Sequence, residues 1–130
     1  MYNDSINRDL RVAVSGKTER KVNNMAQRFH GYNFEREVLN STEPVLVDFY
    51  ADWCGPCRMM GPLVDQLSDT YAGRLKVGKV NVDEEKLLAG HYGIRSIPSF
   101  LLFKDGQVVD SVTGGVPESV LERMIERQVA

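Results

Sequence analysis

Between Val45 and Tyr50 every position is apolar except Asp48. An unbroken run of this length predicts a strand buried on both faces of a sheet. Beyond it, Met60, Leu63, Val64, Leu67 and Tyr71 recur at the spacing of one helix face, and Gly73 closes the segment. Pro62, eased by Gly61, predicts a kink within that helix. Leu75 to Val82 reads as a second buried strand. Asp83 then offers a cap for a short helix from Glu84 to about His91, with Leu87, Leu88 and Tyr92 turned inward. After the loop Gly93 to Pro98 comes an apolar strand, Ser99 to Lys104. Asp105-Gly106 signals a hairpin, and Gln107 to Val112 is the returning antiparallel strand. Gly114-Gly115 breaks the pattern. Pro117 fits the first position of a final helix, with Val120, Leu121, Met124 and Ile125 inside and Glu122, Arg123, Glu126 and Arg127 outside.

The amino-terminal third is less regular. Asn33 can cap a helix whose face is Phe34, Val38 and Leu39, ended by the stretch Asn40 to Pro44. Before it, Val22, Met25, Ala26 and Phe29 fall on a helical stripe, while Leu10, Val12 and Val14 show a weak period of two that ends at Ser15-Gly16. Strands alternating with helices, then a hairpin and a helix, predict the α/β class: a central mixed β-sheet flanked by helices on both faces.

Charge divides the chain. Up to Asn33 there are six Lys/Arg against three Asp/Glu, a balance of +3; from Phe34 there are ten against fifteen, or −5. Residues 1–22 are therefore read as a flexible extension and 23–130 as the folded domain, because polar, charge-shifted termini are commonly poorly ordered. The 130 residues suffice for one core, and a net charge of −2 argues against a nucleic-acid binder. No stretch reaches the roughly 20 apolar residues of a membrane span. With no signal-peptide h-region before a cleavage site, the expected compartment is the cytoplasm.

The chemistry lies in Asp48-Phe49-Tyr50-Ala51-Asp52-Trp53-Cys54-Gly55-Pro56-Cys57, which holds both cysteines. Strand, sharp turn and helix bring Cys54 to a helix start, where unpaired N–H groups stabilise a thiolate and lower its pKa. Disulfide exchange needs an attacking thiolate and a second thiol that releases the mixed disulfide. Cys54 fits the exposed attacker, and Cys57, one turn on, the resolving thiol. Pro56 sits well in a first turn, where its missing N–H costs nothing. Half of a zinc site is the alternative, but it lacks ligands: only His30 and His91 remain, at no useful spacing. A carboxylate within an apolar strand is costly to bury, so Asp48 needs a partner or a task.

Trp-Cys-Gly-Pro-Cys after Val-Leu-Val-Asp-Phe resembles the thioredoxin family, over about three quarters of the chain from Asn33 onward. The resemblance implies the thioredoxin fold, with a first strand near Met25 to Phe29, which conflicts with the helical stripe there. It makes Asp48 the buried acid that shuttles the proton of Cys57, with Lys79 its neighbour. It makes Ile97-Pro98 a cis bond opposite the active-site turn, leaving the Ile97 backbone free to pair with a substrate chain. Trp53, Gly55, Pro56, Thr113 and Gly114 would complete the substrate groove. Tyr50 reads as packing.

The resemblance further implies a monomeric protein-disulfide reductase with no cofactor beyond the Cys54–Cys57 dithiol and no metal. Its partners would be oxidised proteins and a thioredoxin reductase, NADPH- or ferredoxin-dependent, with neither nucleic acid nor membrane involved. An oxidant or isomerase is the opposite-direction reading, which Gly55-Pro56 disfavours, since oxidants of the family typically carry a His between the cysteines. A pure binding module has no need of a proton shuttle.

If the extension is not part of the core, deleting Met1 to Arg20 leaves the thermal midpoint and the reductase rate nearly unchanged. A large fall in the midpoint would show that Leu10, Val12 and Val14 form a docked strand.

Overall fold

The structure, a computed structural model, describes residues 25–129. Val22, the alternating stretch Leu10 to Val14 and the boundary set at residue 22 lie outside them.

Strand β1 is Gln27–Arg28, followed by a π-helical segment over Glu35–Leu39. Strand β2 is Val45–Tyr50, helix α1 Gly55–Thr70 and strand β3 Lys76–Asn81. Helix α2 is Lys86–His91, strands β4 and β5 are Ser99–Lys104 and Gln107–Thr113, and helix α3 is Glu118–Glu126. The strands lie in the order β1-β3-β2-β4-β5. β3 runs parallel to both its neighbours, while β4 is antiparallel to β2 and β5. The expected mixed sheet is present.

All six residues of β2 are buried, as its apolar run predicts. Side chains alternate across a strand, so the sheet builds two cores. On one face Leu46, Val77, Phe100 and Leu102 pack with Met60, Val64 and Leu67 of α1 and with Leu121, Met124 and Ile125 of α3. On the other, Val45, Val47, Phe49, Val80 and Phe103 pack with Phe29, Phe34, Val38 and Ala89. Each fully buried Leu or Phe contributes about 1.5–3 kcal/mol relative to leaving it in water. Asp48, in step with Leu46, projects toward α1.

Several local expectations are corrected. The stripe Met25, Ala26 and Phe29 is not helical: Gln27 and Arg28 pair with Gly78 and Lys79, and the Phe29 N–H donates to the Lys79 carbonyl at 2.8 Å. Asn33 does not cap a helix; its Oδ1 accepts the His30 N–H at 2.7 Å, closing the turn before the π-helical segment. Helix α2 starts at Lys86 with no side-chain cap, because Asn81 Oδ1 instead accepts the N–H groups of Asp83 and Glu84, at 2.9 and 3.3 Å. Leu87 is 91% exposed, since adjacent positions on a helix cannot share one face and Leu88 takes the inward one. Pro117 stands just before α3 rather than at its first position.

One glycine fixes how closely β1 and its neighbours pack. A Cβ on Gly78 would overlap the ring of Phe29, which is itself 1% exposed and has little room to retreat. Gly78→Ala is therefore expected to lower stability by about 1–3 kcal/mol, as overpacked cores do. Urea unfolding measures it, and an unchanged midpoint would mean that Phe29 moves freely.

Candidate active site

At the end of β2 the chain turns through Ala51, Asp52 and Trp53 and enters α1. Cys54 is the cap residue, extended at φ −87° and ψ 114°, and Pro56 occupies the first turn. The two sulfurs form a disulfide, with Cα atoms 5.3 Å apart. The Cys57 N–H donates to Cys54 Sγ at 3.3 Å. A thiolate released at Cys54 thus meets a helix N–H in place, the arrangement that lowers a thiol pKa. The expected difference in exposure is absent: both cysteines are 5% exposed. In the oxidised protein only helix position separates them, the cap atom from the residue one turn inside.

Asp48 is 1% exposed, and among the described residues its Oδ1 has no hydrogen-bond partner. It stands between Lys79 of β3 and Phe100 of β4 in the sheet register. Burial pushes its carboxyl up to about 7; the Lys79 cation opposes the shift, and the Asp65 carboxylate of α1 adds to it. Lys79 directs its Nζ over the Tyr50 ring, 5.0 Å from the centroid. Arg28 approaches the same ring at 6.0 Å, so Tyr50 does more than pack.

Across the turn, the Ile97–Pro98 bond is cis, and the Ile97 carbonyl oxygen lies 3.9 Å from Cys54 Sγ. The loop is tied to the end of β5 at two points. The Gly114 N–H donates to the Pro98 carbonyl at 2.7 Å. Ser99 Oγ donates to the Ser96 carbonyl at 2.6 Å and lies 3.3 Å from Thr113 Oγ1. A Cβ on Gly115 would come 3.6 Å from Pro56 Cβ, so the turn after Thr113 reaches the dithiol helix. The Ile97 carbonyl thus reaches Cys54, Thr113 and Gly114 are tied to the Pro98 loop, and Gly115 approaches Pro56, with Gly55 between Cys54 and Pro56 in the chain. Trp53 is 69% exposed and is held from another side, its Nε1–H donating to Asp83 Oδ2 at 2.9 Å. Asp83, read from the sequence as a helix cap, anchors the indole instead. No sequence spacing announces a pair thirty residues apart, and Ser99 and Arg28 gave no signal either.

The thioredoxin family model matches residues 25–127. The chain belongs to the thioredoxin family. It is 53% identical over 96 residues to thioredoxin 1 of Nostoc sp., covering 74% of this chain and 90% of that protein. It is 48% identical over 97 residues to a thioredoxin of Chlorobaculum thiosulfatiphilum, covering 75% and 90%. A solved mutant thioredoxin from Halobacterium salinarum superposes with a TM-score of 0.75 at 37% identity, over 82% of this chain and 93% of that one. Family and site together make this a thiol–disulfide oxidoreductase working through Cys54 and Cys57. Membership in the thioredoxin family brings with it protein disulfides as substrates and reduction by a thioredoxin reductase. Among the described residues no group of three or more His, Cys, Asp or Glu is placed to hold a metal, and no helix is long and apolar enough to cross a membrane.

The raised carboxyl of Asp48 has a signed consequence. Its folded pKa of about 7 exceeds the unfolded value of 3.8, so between them the folded chain keeps a proton the unfolded chain has lost. Stability from this group is full below the unfolded value and declines as pH rises toward 7, by something on the order of 4 kcal/mol in total. Asp48→Asn removes that loss. Its stability relative to wild type is expected to climb between pH 4 and pH 7 and then flatten, reaching about 1–4 kcal/mol in favour of the variant. Denaturant unfolding across that range checks it; a constant difference would mean that folding does not raise the Asp48 pKa.

Proposed function

We propose that this chain is a general protein-disulfide reductase in which Cys54 attacks and Cys57 resolves. In the reduced state the Cys54 thiolate attacks one sulfur of a substrate disulfide, forming a mixed disulfide and releasing the other substrate sulfur as a thiolate. Cys57 then attacks Cys54 Sγ, which closes the Cys54–Cys57 disulfide and frees the second substrate thiol. Asp48 takes the proton that Cys57 must lose. A thioredoxin reductase returns two electrons and reopens the pair. The observation that carries this reading is the buried Asp48 carboxyl, poised near neutrality on the dithiol side of the sheet with an oxygen that has no partner among the described residues. A residue that is costly to keep and poised to exchange a proton near pH 7 suits a proton acceptor.

Lys79 sets how readily that carboxyl ionises. The groove for substrate is formed by Trp53, Gly55, Pro56, Ile97, Thr113 and Gly114, with Pro98 shaping its floor. Among the described residues the Ile97 N–H makes no hydrogen bond, which leaves it free to pair with an extended substrate segment. The protein acts as a monomer of one domain, residues 23–130, preceded by an extension, and carries electrons within the cytoplasm.

Supplied with a model protein disulfide, the wild type is expected to turn over when reduced by an NADPH-dependent thioredoxin reductase or by a ferredoxin-dependent one. The two donors, assayed separately, identify its electron source. Cys57→Ser is expected to stop after one encounter and to accumulate a mixed disulfide at Cys54, visible by non-reducing mass spectrometry. Continued turnover by that variant, or faster oxidation of dithiols than reduction of disulfides by wild type, would overturn the reading.

A further inference from the structure

Three cations face one hollow beside the dithiol. Arg28, Lys79 and Asp48 occupy one row across β1, β3 and β2, in direct register. Side chains in register on neighbouring strands point to the same face, with strands about 4.8 Å apart. Two cations are therefore set side by side at the edge of the sheet, an arrangement that is destabilising unless negative charge answers it. They line a hollow of about 390 Å³ together with Tyr50, Asp52, Cys57 and a third cation, Arg58.

The acids nearby answer little of this charge. Glu84 reaches Arg28 only at 4.0 Å, between side chains that are more than half exposed. Arg58 spends one N–H on the Asp52 carbonyl at 2.8 Å, which leaves most of its donor fork open. Lys79 sits over the Tyr50 ring, and the acid next to it in the row, Asp48, is buried and protonated over much of the range below pH 7. Among the described residues Asp52 is the one carboxylate lining the space.

We propose that this hollow is a binding site for a small tetrahedral oxyanion of the phosphate or sulfate class, held by Arg28, Arg58 and Lys79. Such an anion supplies the negative charge the row lacks, and guanidinium forks match its oxygens in pairs. Its occupancy has a consequence for the chemistry that rests on the role proposed for Asp48; the binding itself does not. An oxyanion beside Lys79 offsets the cation that favours the Asp48 carboxylate, so the acid accepts the Cys57 proton less readily and exchange slows. By linkage the ionised acid weakens the anion in turn.

The experiment titrates the full-length, isotope-labelled oxidised protein with sodium phosphate and, separately, sodium sulfate. Sodium chloride at matched ionic strength is the reference, and amide shifts are followed by NMR. Saturable shifts at Arg28, Tyr50, Arg58 and Lys79 are expected with the oxyanions and not with chloride. The double variant Arg28→Ala/Arg58→Ala is expected to weaken binding about tenfold or more, as loss of charge-assisted hydrogen bonds does. Arg95→Ala, at an exposed arginine outside the hollow, leaves it unchanged. Shifts that never saturate, or that persist in the double variant, overturn the site. Reductase rates in the same buffers read the second half: slowing in step with occupancy supports the coupling to Asp48, and saturable binding with an unaffected rate overturns that coupling alone.

Discussion

Strand β2 lies in the middle of the sheet and is covered on both faces, and that burial governs everything polar within it. Four of its six residues are aliphatic or Phe and need nothing further, and the Tyr50 ring carries the cations of Arg28 and Lys79 over its face. The remaining one, Asp48, is a carboxyl whose Oδ1 has no hydrogen-bond partner among the described residues. In such a place an acid can be neutral, paired or costly. Here it is held near the point of balance: burial drives it toward the neutral form, and Lys79, one strand over, draws it partway back.

The same strand places the sulfur chemistry. Because β2 is parallel to β3, its far end must deliver the chain to a crossover, and α1 begins just past the short turn that follows Tyr50. The disulfide therefore falls at a helix start, with a backbone N–H already directed at Cys54 Sγ. The Pro98 loop comes to the dithiol from the other side of β2. Strand β4 begins and strand β5 ends near the level where β2 ends, and hydrogen bonds from Ser99 and Gly114 hold the Pro98 loop beside the turn after Thr113. Dithiol, acid and Pro98 loop are thus three consequences of one sheet.

What the sequence made legible tracks the strength of burial. The run Val45 to Tyr50, the stripe from Met60 to Tyr71 and the hairpin at Asp105-Gly106 are strong local signals, and each element lies where its pattern put it. β1 is the contrary case. Gln27 and Arg28 are exposed, and their strand exists only because β3 offers an edge to pair with, so nothing nearby in the sequence could outweigh the helical spacing of Met25, Ala26 and Phe29. Capping failed for a related reason. Asn33 and Asp83 both have side chains that suit a helix start, yet a local turn claimed the first, through the His30 N–H, and a tertiary partner, the Trp53 indole, the second. At the site, Cys54, Cys57 and Asp48 were readable from residue type and setting. The cation row of Arg28 and Lys79 was not, since register between strands is what creates it.

Site and mechanism alike require Asp48 to be a buried acid poised near neutrality. A carbon-13 NMR titration of its side-chain carboxyl in the oxidised protein tests this without any variant. The predicted midpoint is about 7. A midpoint near that of an ordinary aspartate, about 4, would contradict it, because the carboxylate would then be stabilised by partners or water that this burial excludes.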